Sequence, residues 1–282
     1  MLSLIHIFLQ NPYPCTVVSL FENDCIDRGA SYLEGGTVYT VASPHIGGLA
    51  DVANSLYAIK TMVFEQGLVS FSELMAIVKQ NWQPDEALRQ YALKRIPYFG
   101  NNHDEVDEIA ARILDDFADA CRQVDEKSPF LFPPGVSTFG RQIEWAPGRL
   151  ASAHGRRQGE VLSGNLSPTP GTDKKGAAAV IASYCKADLK KQVTGAALDL
   201  SLLPSTVSGQ EGLEAIMSLI EGFVRLGGYF MQIDIADTET LKQAQAHPEQ
   251  YPALSVRVSG WNARFATLNK EWQDMIIERD SK

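Results

Sequence analysis

Apolar and polar positions follow two periods along this chain, and the switches between them outline its elements. From Gly47 to Gln66, Leu49, Val52, Ala53, Leu56 and Val63 recur at helical spacing, and Gly67 closes the run. Ser70 and Glu73 have the spacing of a capping box and predict a helix over Phe71 to Asn81. Pro84 separates it from a further helical stretch at Asp85 to Arg95. The most regular pattern runs from Asp104 to Asp125, where Val106, Ile109, Ala110, Ile113, Phe117, Ala120, Cys121 and Val124 form one face. Asp104, Glu105, Asp107 and Glu108 crowd its first turn, where the helix dipole favours negative charge, and read as a solvated face.

The period is lost between Ser128 and Gly176. Pro129, Pro133, Pro134, Pro147, Pro168 and Pro170 alternate with glycines there and predict long ordered loops rather than helix or sheet. A loop region of that length points to function. Downstream, Ser208 and Glu211 have capping-box spacing, and Leu213, Ile216, Met217, Ile220, Phe223 and Val224 mark an amphipathic helix ended by Gly227 and Gly228. Tyr229 to Ala236 reads as a strand, Thr238 to Ala246 as a short helix before Pro248, and Ser255 to Phe265 as a second strand. Asn269 caps a terminal helix through Arg279. There is no internal repeat and no low-complexity segment.

Composition narrows the class. The chain has 282 residues, 45% hydrophobic and 21% charged, which suits one large globular domain or two smaller ones. A net charge of −9 without a Lys/Arg block excludes a nucleic-acid partner. No apolar run reaches the ~18 residues of a spanning helix, so no membrane partner is expected. Cys15, Cys25, Cys121 and Cys185 are far apart with no C-x-x-C pair, which argues against a zinc ribbon or a disulfide framework and for a cytoplasmic location. MLSLIHIFLQ lacks a basic n-region and a cleavage site, so it is no signal peptide. Its LSLIHI string resembles a translated sequencing adapter. Residues 1–7 are therefore expected to be a library artefact, with the native sequence starting near Phe8 or Leu9; an ordinary short strand is the alternative.

Few residues suggest chemistry by type and spacing alone. The histidines (His6, His45, His103, His154, His247) form no H-E-x-x-H and no i,i+4 ligand pair, so each reads as structural and no metal site is expected. GTDKKG (171–176) has two glycines and two lysines, yet Ala177 stands where a phosphate loop needs its lysine. Asn165–Ser167 matches a glycosylation sequon only formally. Cys15 and Cys25 have no recognisable His or acid partner and read as small buried hydrophobes. In SVRVSGWNARF (255–265), Gly260 interrupts a strand-forming run, and taken alone it would mark a bulge.

The surrounding sequence gives Gly260 another reading. SPTPGTDKKGAAAV (167–180), EGFVRLGGYFMQIDI (221–235), LKQAQAHPEQYPALSVRVSGWNARF (241–265) and WQDMIIER (272–279) follow one another in the order found in the glycyl radical enzymes. That superfamily contains pyruvate formate-lyase and the radical dehydratases and decarboxylases. Arg257, Val258, Ser259, Gly260 and Trp261 stand at its R-V-(S/A)-G-aromatic motif. FENDCIDRG (21–29), GGLADVANSLYAIK (47–60) and IPYFGNNHDEVDEIA (96–110) resemble its upstream part, so the resemblance covers nearly everything after residue 8. Trp261 departs from the usual tyrosine. Ser259 is similar to the formate-lyases, whereas GNLSPTPGTDKKG leans towards the dehydratases. The four-cysteine zinc site of anaerobic ribonucleotide reductase has no counterpart.

The resemblance implies an α/β fold, specifically the C-terminal portion of the family's ten-stranded α/β barrel. Residues 8–155 would belong to the pyruvate formate-lyase-like barrel domain, and 156–282 to a glycine radical domain. It implies one catalytic residue, Gly260, with no bound cofactor. A radical S-adenosylmethionine activating enzyme with a 4Fe–4S cluster would remove a hydrogen from its Cα. Only glycine leaves that Cα without a side chain and lets the radical flatten. Shielding by Val258, Trp261 and Phe265 would keep dioxygen away, and the loop would swing out for activation. In the family a cysteine relays the radical to a small-molecule substrate, in a G-C-x-E-P setting among dehydratases. Neither Cys15 nor Cys25 matches it, so the chain is expected to be a fragment, inactive alone and homodimeric at full length. The alternatives are a non-catalytic radical carrier that repairs a damaged lyase, and an inactive paralogue.

Overall fold

The structure, a computed structural model, describes residues 16–125, 130–138, 140–235, 237–257 and 262–280. Two short helices, α1 (Thr16–Ser19) and α2 (Cys25–Arg28), precede strands β1 (Thr40–Val41) and β2 (His45–Ile46). Helices α3 (Leu49–Ile59), α4 (Phe71–Lys79), α5 (Glu86–Arg95) and α6 (Asp104–Asp125) follow, then β3 (Phe130–Leu131), β4 (Gly135–Val136) and the single turn α7 (Gln142–Trp145). The remainder is α8 (Ala177–Tyr184), β5 (Ala197–Leu202), α9 (Gly209–Arg225), β6 (Phe230–Ile235), α10 (Thr238–Ala246), β7 (Ser255–Arg257), β8 (Asn262–Arg264) and α11 (Lys270–Asp280).

Strands β1 and β3, then β2 and β4, pair in parallel and keep one register across the break between them. Pro44, Pro133 and Pro134 cause that break, because proline has no N–H to give a ladder. Pairing bridges the gap where donors allow it: Ala42 N–H donates to the Leu131 carbonyl at 2.9 Å, and Gly135 N–H to that of Pro44 at 3.1 Å. The Ser43 hydroxyl donates to the Pro133 carbonyl at 3.0 Å in place of a backbone group. A parallel bridge between Val136 and Ala196 leads from β4 to β5, which pairs in parallel with β6 along its whole length. The segment read as loop therefore contains two strands and a helical turn. Short strands set between prolines leave no period for a sequence pattern to show.

Helix α3 lies against α6 through small residues: Ala50, Ala53 and Ala58 are fully buried and let Val106, Ala110 and Leu114 approach. Beyond Ile59 the helix continues as a wider π-helical stretch, Lys60–Glu65, where the periodicity predicted an unbroken α-helix. The Ser70–Glu73 capping box forms, with each partner bonding the other's backbone N–H. Helix α4 stops two residues earlier than expected, since Asn81 and Trp82 turn left-handed at φ 57° and 64°. Bulky residues rarely adopt that conformation; here Trp82 is fully buried and its indole donates to the Ser152 carbonyl at 3.1 Å, which offsets the strain. The second expected capping box is absent: the Ser208 hydroxyl donates to the Ser205 carbonyl instead of accepting from α9. The acidic first turn of α6 is not wholly solvated either. Asp107 is buried, and Lys186 binds it at 2.8 Å and Asp104 at 2.7 Å.

The main core gathers α3 to α6, α8, α9, β5 and β6. Tyr184 spans the start of both long strands: it donates to the Ala196 carbonyl, accepts from Phe230 N–H at 3.2 Å, and stacks on Phe223. A second cluster is separate. Leu241, Ala244, Val256, Phe265 and Ile276 are buried there, with Ile143, Leu254, Leu268 and Trp272 packed around them. The chain from α10 onward thus has a small core of its own. Two cores predict two responses. Leu198→Ala, deep in the main core, should lower global stability by about 2–5 kcal/mol in urea unfolding. Phe265→Ala should speed amide exchange over residues 241–276 and leave the main transition nearly unmoved; equal acceleration throughout the chain would show one cooperative unit.

Candidate functional site

The segment 255–265, read as one strand, is a pair of antiparallel strands: Ser255 faces Arg264, Val256 faces Ala263, and Arg257 faces Asn262. Both arrangements alternate apolar and polar side chains, so periodicity does not separate them. Gly260 lies outside the described residues, as do Val258, Ser259 and Trp261. The strands flanking them are well anchored. Val256 and Phe265 point into the second cluster, Phe265 N–H donates to the Leu254 carbonyl at 2.9 Å, and Gln273 donates to the Phe265 carbonyl at 2.9 Å. Phe265, expected as a shield, is fully buried. Asn269 caps α11 as expected, accepting from Trp272 N–H at 3.0 Å.

Among the described residues, the cluster packs against α7 and against Gly140, two residues before it. Gly140 has φ 79°, and a Cβ there would lie 2.4 Å from the Trp272 ring, so only glycine fits. Ile143 of α7 packs on the cluster, while its neighbour Gln142 lines a cavity of about 370 Å³. The cavity opens at the carboxyl ends of β5 and β6, where ligands of parallel sheets bind. Ser167, Asp173, Asp199, Ser201 and Asp234 supply its polar surface. One helical turn therefore touches both the second cluster, to which Val256 of β7 belongs, and the cavity.

The loop 161–171 forms one wall of this cavity and is fixed from behind. Asp51, buried in the first turn of α3, accepts from Ser163 N–H and from the Ser163 hydroxyl, both at 2.7 Å, and from the Thr169 hydroxyl at 3.2 Å. Asn54, one turn along, donates to Thr169 at 3.1 Å and accepts from Phe99 N–H at 2.9 Å. On the cavity side, Asn165 sits left-handed at φ 48°, accepts from Thr138 N–H at 3.0 Å and donates to the Asp199 carboxylate at 2.6 Å. Asp199 N–H donates to the Ser167 hydroxyl at 2.9 Å. Asn165 and Ser167 thus orient the Asp199 carboxylate and its backbone. Sequence reasoning singled out neither Asp51 nor Asp199. The available signal was Asp51 and Asn54 standing on the alanine-rich face of a helix, where a polar residue must have a partner.

His154 completes the anchor. It is buried, its Nε2 lies 3.5 Å from Asp51, and its Nδ1 lies 3.0 Å from the Ser55 hydroxyl and 3.2 Å from that of Ser152. In GTDKKG, the Lys174 side chain is taken up by the Leu93 carbonyl, to which its Nζ donates, and Lys174 and Lys175 N–H both donate to Asn101. Cys25 and Cys121 are buried; desolvation raises the Cys25 thiol and pushes that of half-buried Cys185 up to about 11, so neither Cys25 nor Cys185 is poised as a thiolate. Cys15 lies outside the described residues.

Comparison with known proteins agrees with this architecture. Residues 1–144 match the family model "Pyruvate formate lyase-like", and residues 162–266 match "Glycine radical". The chain belongs to the glycyl radical enzymes. It is 32% identical to the (2S)-3-sulfopropanediol dehydratase of Klebsiella oxytoca, over 94% of this chain and 33% of that one. It is 30% identical to the trans-4-hydroxy-L-proline dehydratase of Clostridioides difficile, over 94% of this chain and 34% of the relative. The solved glycerol-bound, B12-independent glycerol dehydratase from Clostridium butyricum superposes with a TM-score of 0.85 at 30% identity, covering 94% of this chain and 34% of that one. The α/β barrel fold expected from the sequence is thus shared with solved members. The chain spans about a third of the length of the curated relatives it matches.

The anchor carries a pH signature. Burial pushes the His154 imidazole below the ordinary histidine range; Asp51 pulls the other way, and Arg156 adds to the depression. The unfolded chain then binds a proton more readily than the folded one. The stability from neutral His154 is present above about pH 6.5 and is lost as pH falls below it. Urea midpoints should drop between pH 7.5 and 5.5, and His154→Gln should flatten part of that slope. Burial pushes the His45 imidazole down too, so some slope persists. A slope identical in wild type and variant would exclude His154 as a contributor.

Proposed function

We propose that this chain stores a radical on Gly260 and delivers it to a substrate held beside the cavity. The supporting observation is that Arg257 and Asn262, which flank the motif in sequence, pair across two strands, and that Ile143 and Gln142 of α7 respectively pack on the second cluster and line the cavity. An activating enzyme transfers one hydrogen atom from the Gly260 Cα to the deoxyadenosyl radical it generates from S-adenosylmethionine at a 4Fe–4S cluster. The product is a glycyl radical flanked by an amide nitrogen and a carbonyl, and both delocalise the unpaired electron. A cysteine thiol other than the four of this chain would then give its hydrogen to Gly260, and the thiyl radical would take a hydrogen from substrate, so the chain would be inactive alone. The separate core of residues 241–276 suits the outward swing this activation needs, since few main-core contacts would have to break.

Among the family's reactions we favour dehydration of a small hydroxylated substrate over decarboxylation or formate-lyase chemistry. The matched relatives named above are dehydratases, and Asp199 and Asp234 offer carboxylate acceptors for substrate hydroxyls. Residues 8–155 would serve as the barrel portion and 156–282 as the radical portion, in a cytoplasmic homodimer. The carrier alternative is less well supported, because the match extends over 1–144, beyond the glycine radical segment.

The test is electron paramagnetic resonance after anaerobic incubation with an activating enzyme, S-adenosylmethionine and a reductant. The expected result is an organic-radical doublet, split by the remaining Cα hydrogen, that vanishes in Gly260→Ala. A doublet that survives the substitution would move the radical elsewhere.

A further inference from the structure

The Ser55 hydroxyl has one hydrogen, and it goes to the Asp51 main-chain carbonyl at 2.6 Å. Toward His154 that oxygen can only accept, so Nδ1, 3.0 Å away, carries the imidazole hydrogen. The other ring nitrogen keeps a bare lone pair. Nε2 is buried, makes no hydrogen bond, and faces Asp51 Oδ1 at 3.5 Å. Two electron-rich atoms thus stand opposite each other where one proton would join them.

The two oxygens of Asp51 hold different parts of the cavity wall. Oδ2 takes both bonds from Ser163, and Oδ1 takes the Thr169 hydroxyl at 3.2 Å. Thr169 is buried, and its carbonyl accepts from the N–H and the hydroxyl of Thr172 at 3.0 and 2.7 Å. On one side of it Pro168 fits over Gly100, where a Cβ would lie 2.4 Å from the proline ring. On the other, Pro170 and Gly171 line the cavity.

We propose that His154 and Asp51 form a proton-operated latch on the cavity wall: a proton taken up at Nε2 draws Oδ1 into an ion pair and releases Thr169, while Ser163 stays bound to Oδ2. Oδ1 lies between a neutral donor and a ring that protonation turns into a cationic one. A charge-assisted hydrogen bond is about twice as strong as a neutral one, so the imidazolium wins the oxygen. The Thr169 hydroxyl hydrogen then lacks a buried acceptor, which is costly, and the residue shifts toward the cavity, where water accepts it. The Leu166 N–H, bonded to the Ala197 carbonyl at 2.8 Å, keeps the middle of the wall on β5.

The charges around the imidazole set the direction. Burial opposes the proton most; Asp51 of α3 favours it, Arg156 of the same loop opposes it, and Glu160 of that loop favours it. Arg89 of α5 donates to the Gly155 carbonyl at 2.8 Å and lies 3.6 Å from Glu160. Tyr98 meets the ring edge-on and donates to the His154 carbonyl at 3.1 Å. The latch is therefore closed at neutral pH and opens in acid. It is distinct from the loss of overall stability in acid, which needs no movement of the wall, and it does not depend on a radical at Gly260.

The test is amide exchange by NMR in the 282-residue chain, corrected for the intrinsic effect of pH. From pH 6.5 to 5.5, exchange at Thr172 N–H should rise about tenfold, the response of one bound proton, and that at Leu166 much less. His154→Gln, which binds no proton, should abolish the difference. Thr169→Val, which lacks the latched hydroxyl, should exchange quickly at Thr172 at both pH values. Imidazole nitrogen shifts of the unsubstituted chain should place the hydrogen on Nδ1 at pH 7.5. Equal acceleration at Thr172 and Leu166, a Thr172 response that survives His154→Gln, or a hydrogen on Nε2 at pH 7.5 would each overturn the proposal.

Discussion

A single buried carboxylate does most to place the cavity. Asp51 binds Ser163 twice and Thr169 once, so the far wall of the cavity is held by the first turn of α3. Such a charge is costly in a core unless it is hydrogen-bonded on every side. Here hydroxyls, a backbone N–H and the positive end of a helix meet it, with His154 behind. From this point the consequences run outward. A fixed loop lets Asn165 adopt its left-handed conformation, and Asn165 then aims Asp199 into the cavity. Removing the carboxylate would loosen a wall made of residues distant in sequence.

The radical segment is organised on the opposite principle. Its strands rest on a small cluster of their own, which Ile143 packs against and whose Trp272 lies against Gly140. The same division explains why α10, α11 and the β7–β8 pair gather in one cluster while β5, β6, α8 and α9 join the main core. The physical seam falls near residue 237, far downstream of the point where the proline-rich composition ends.

Sequence reads well where a pattern is local. The 22-residue amphipathic run from Asp104 to Asp125, the box at Ser70 and Glu73, and the Asn269 cap each depend on residues within a turn or two, and each is where the pattern places it. Two-residue strands between prolines, a π-helical widening after Ile59 and the antiparallel strand pair within 255–265 leave no distinct period, so they are invisible or misread. Gly260 rests on its motif alone and lies outside the described residues. The Asp51 anchor is not, because Ser163 is 112 residues away and nothing near either residue advertises the other. A polar residue on an alanine-rich helix face says that a partner exists and not which one.

The central claim is that Gly260 is glycine because its bare Cα is the reacting atom, not because a turn requires it. A stored glycyl radical captures dioxygen at that carbon, and the peroxyl adduct breaks the backbone there. The most direct measurement is mass spectrometry of the activated protein after brief exposure to air. The account predicts two fragments that meet at Gly260, with no cleavage in protein that was never activated. An activated chain that stays intact in air, or breaks at another residue, would contradict it.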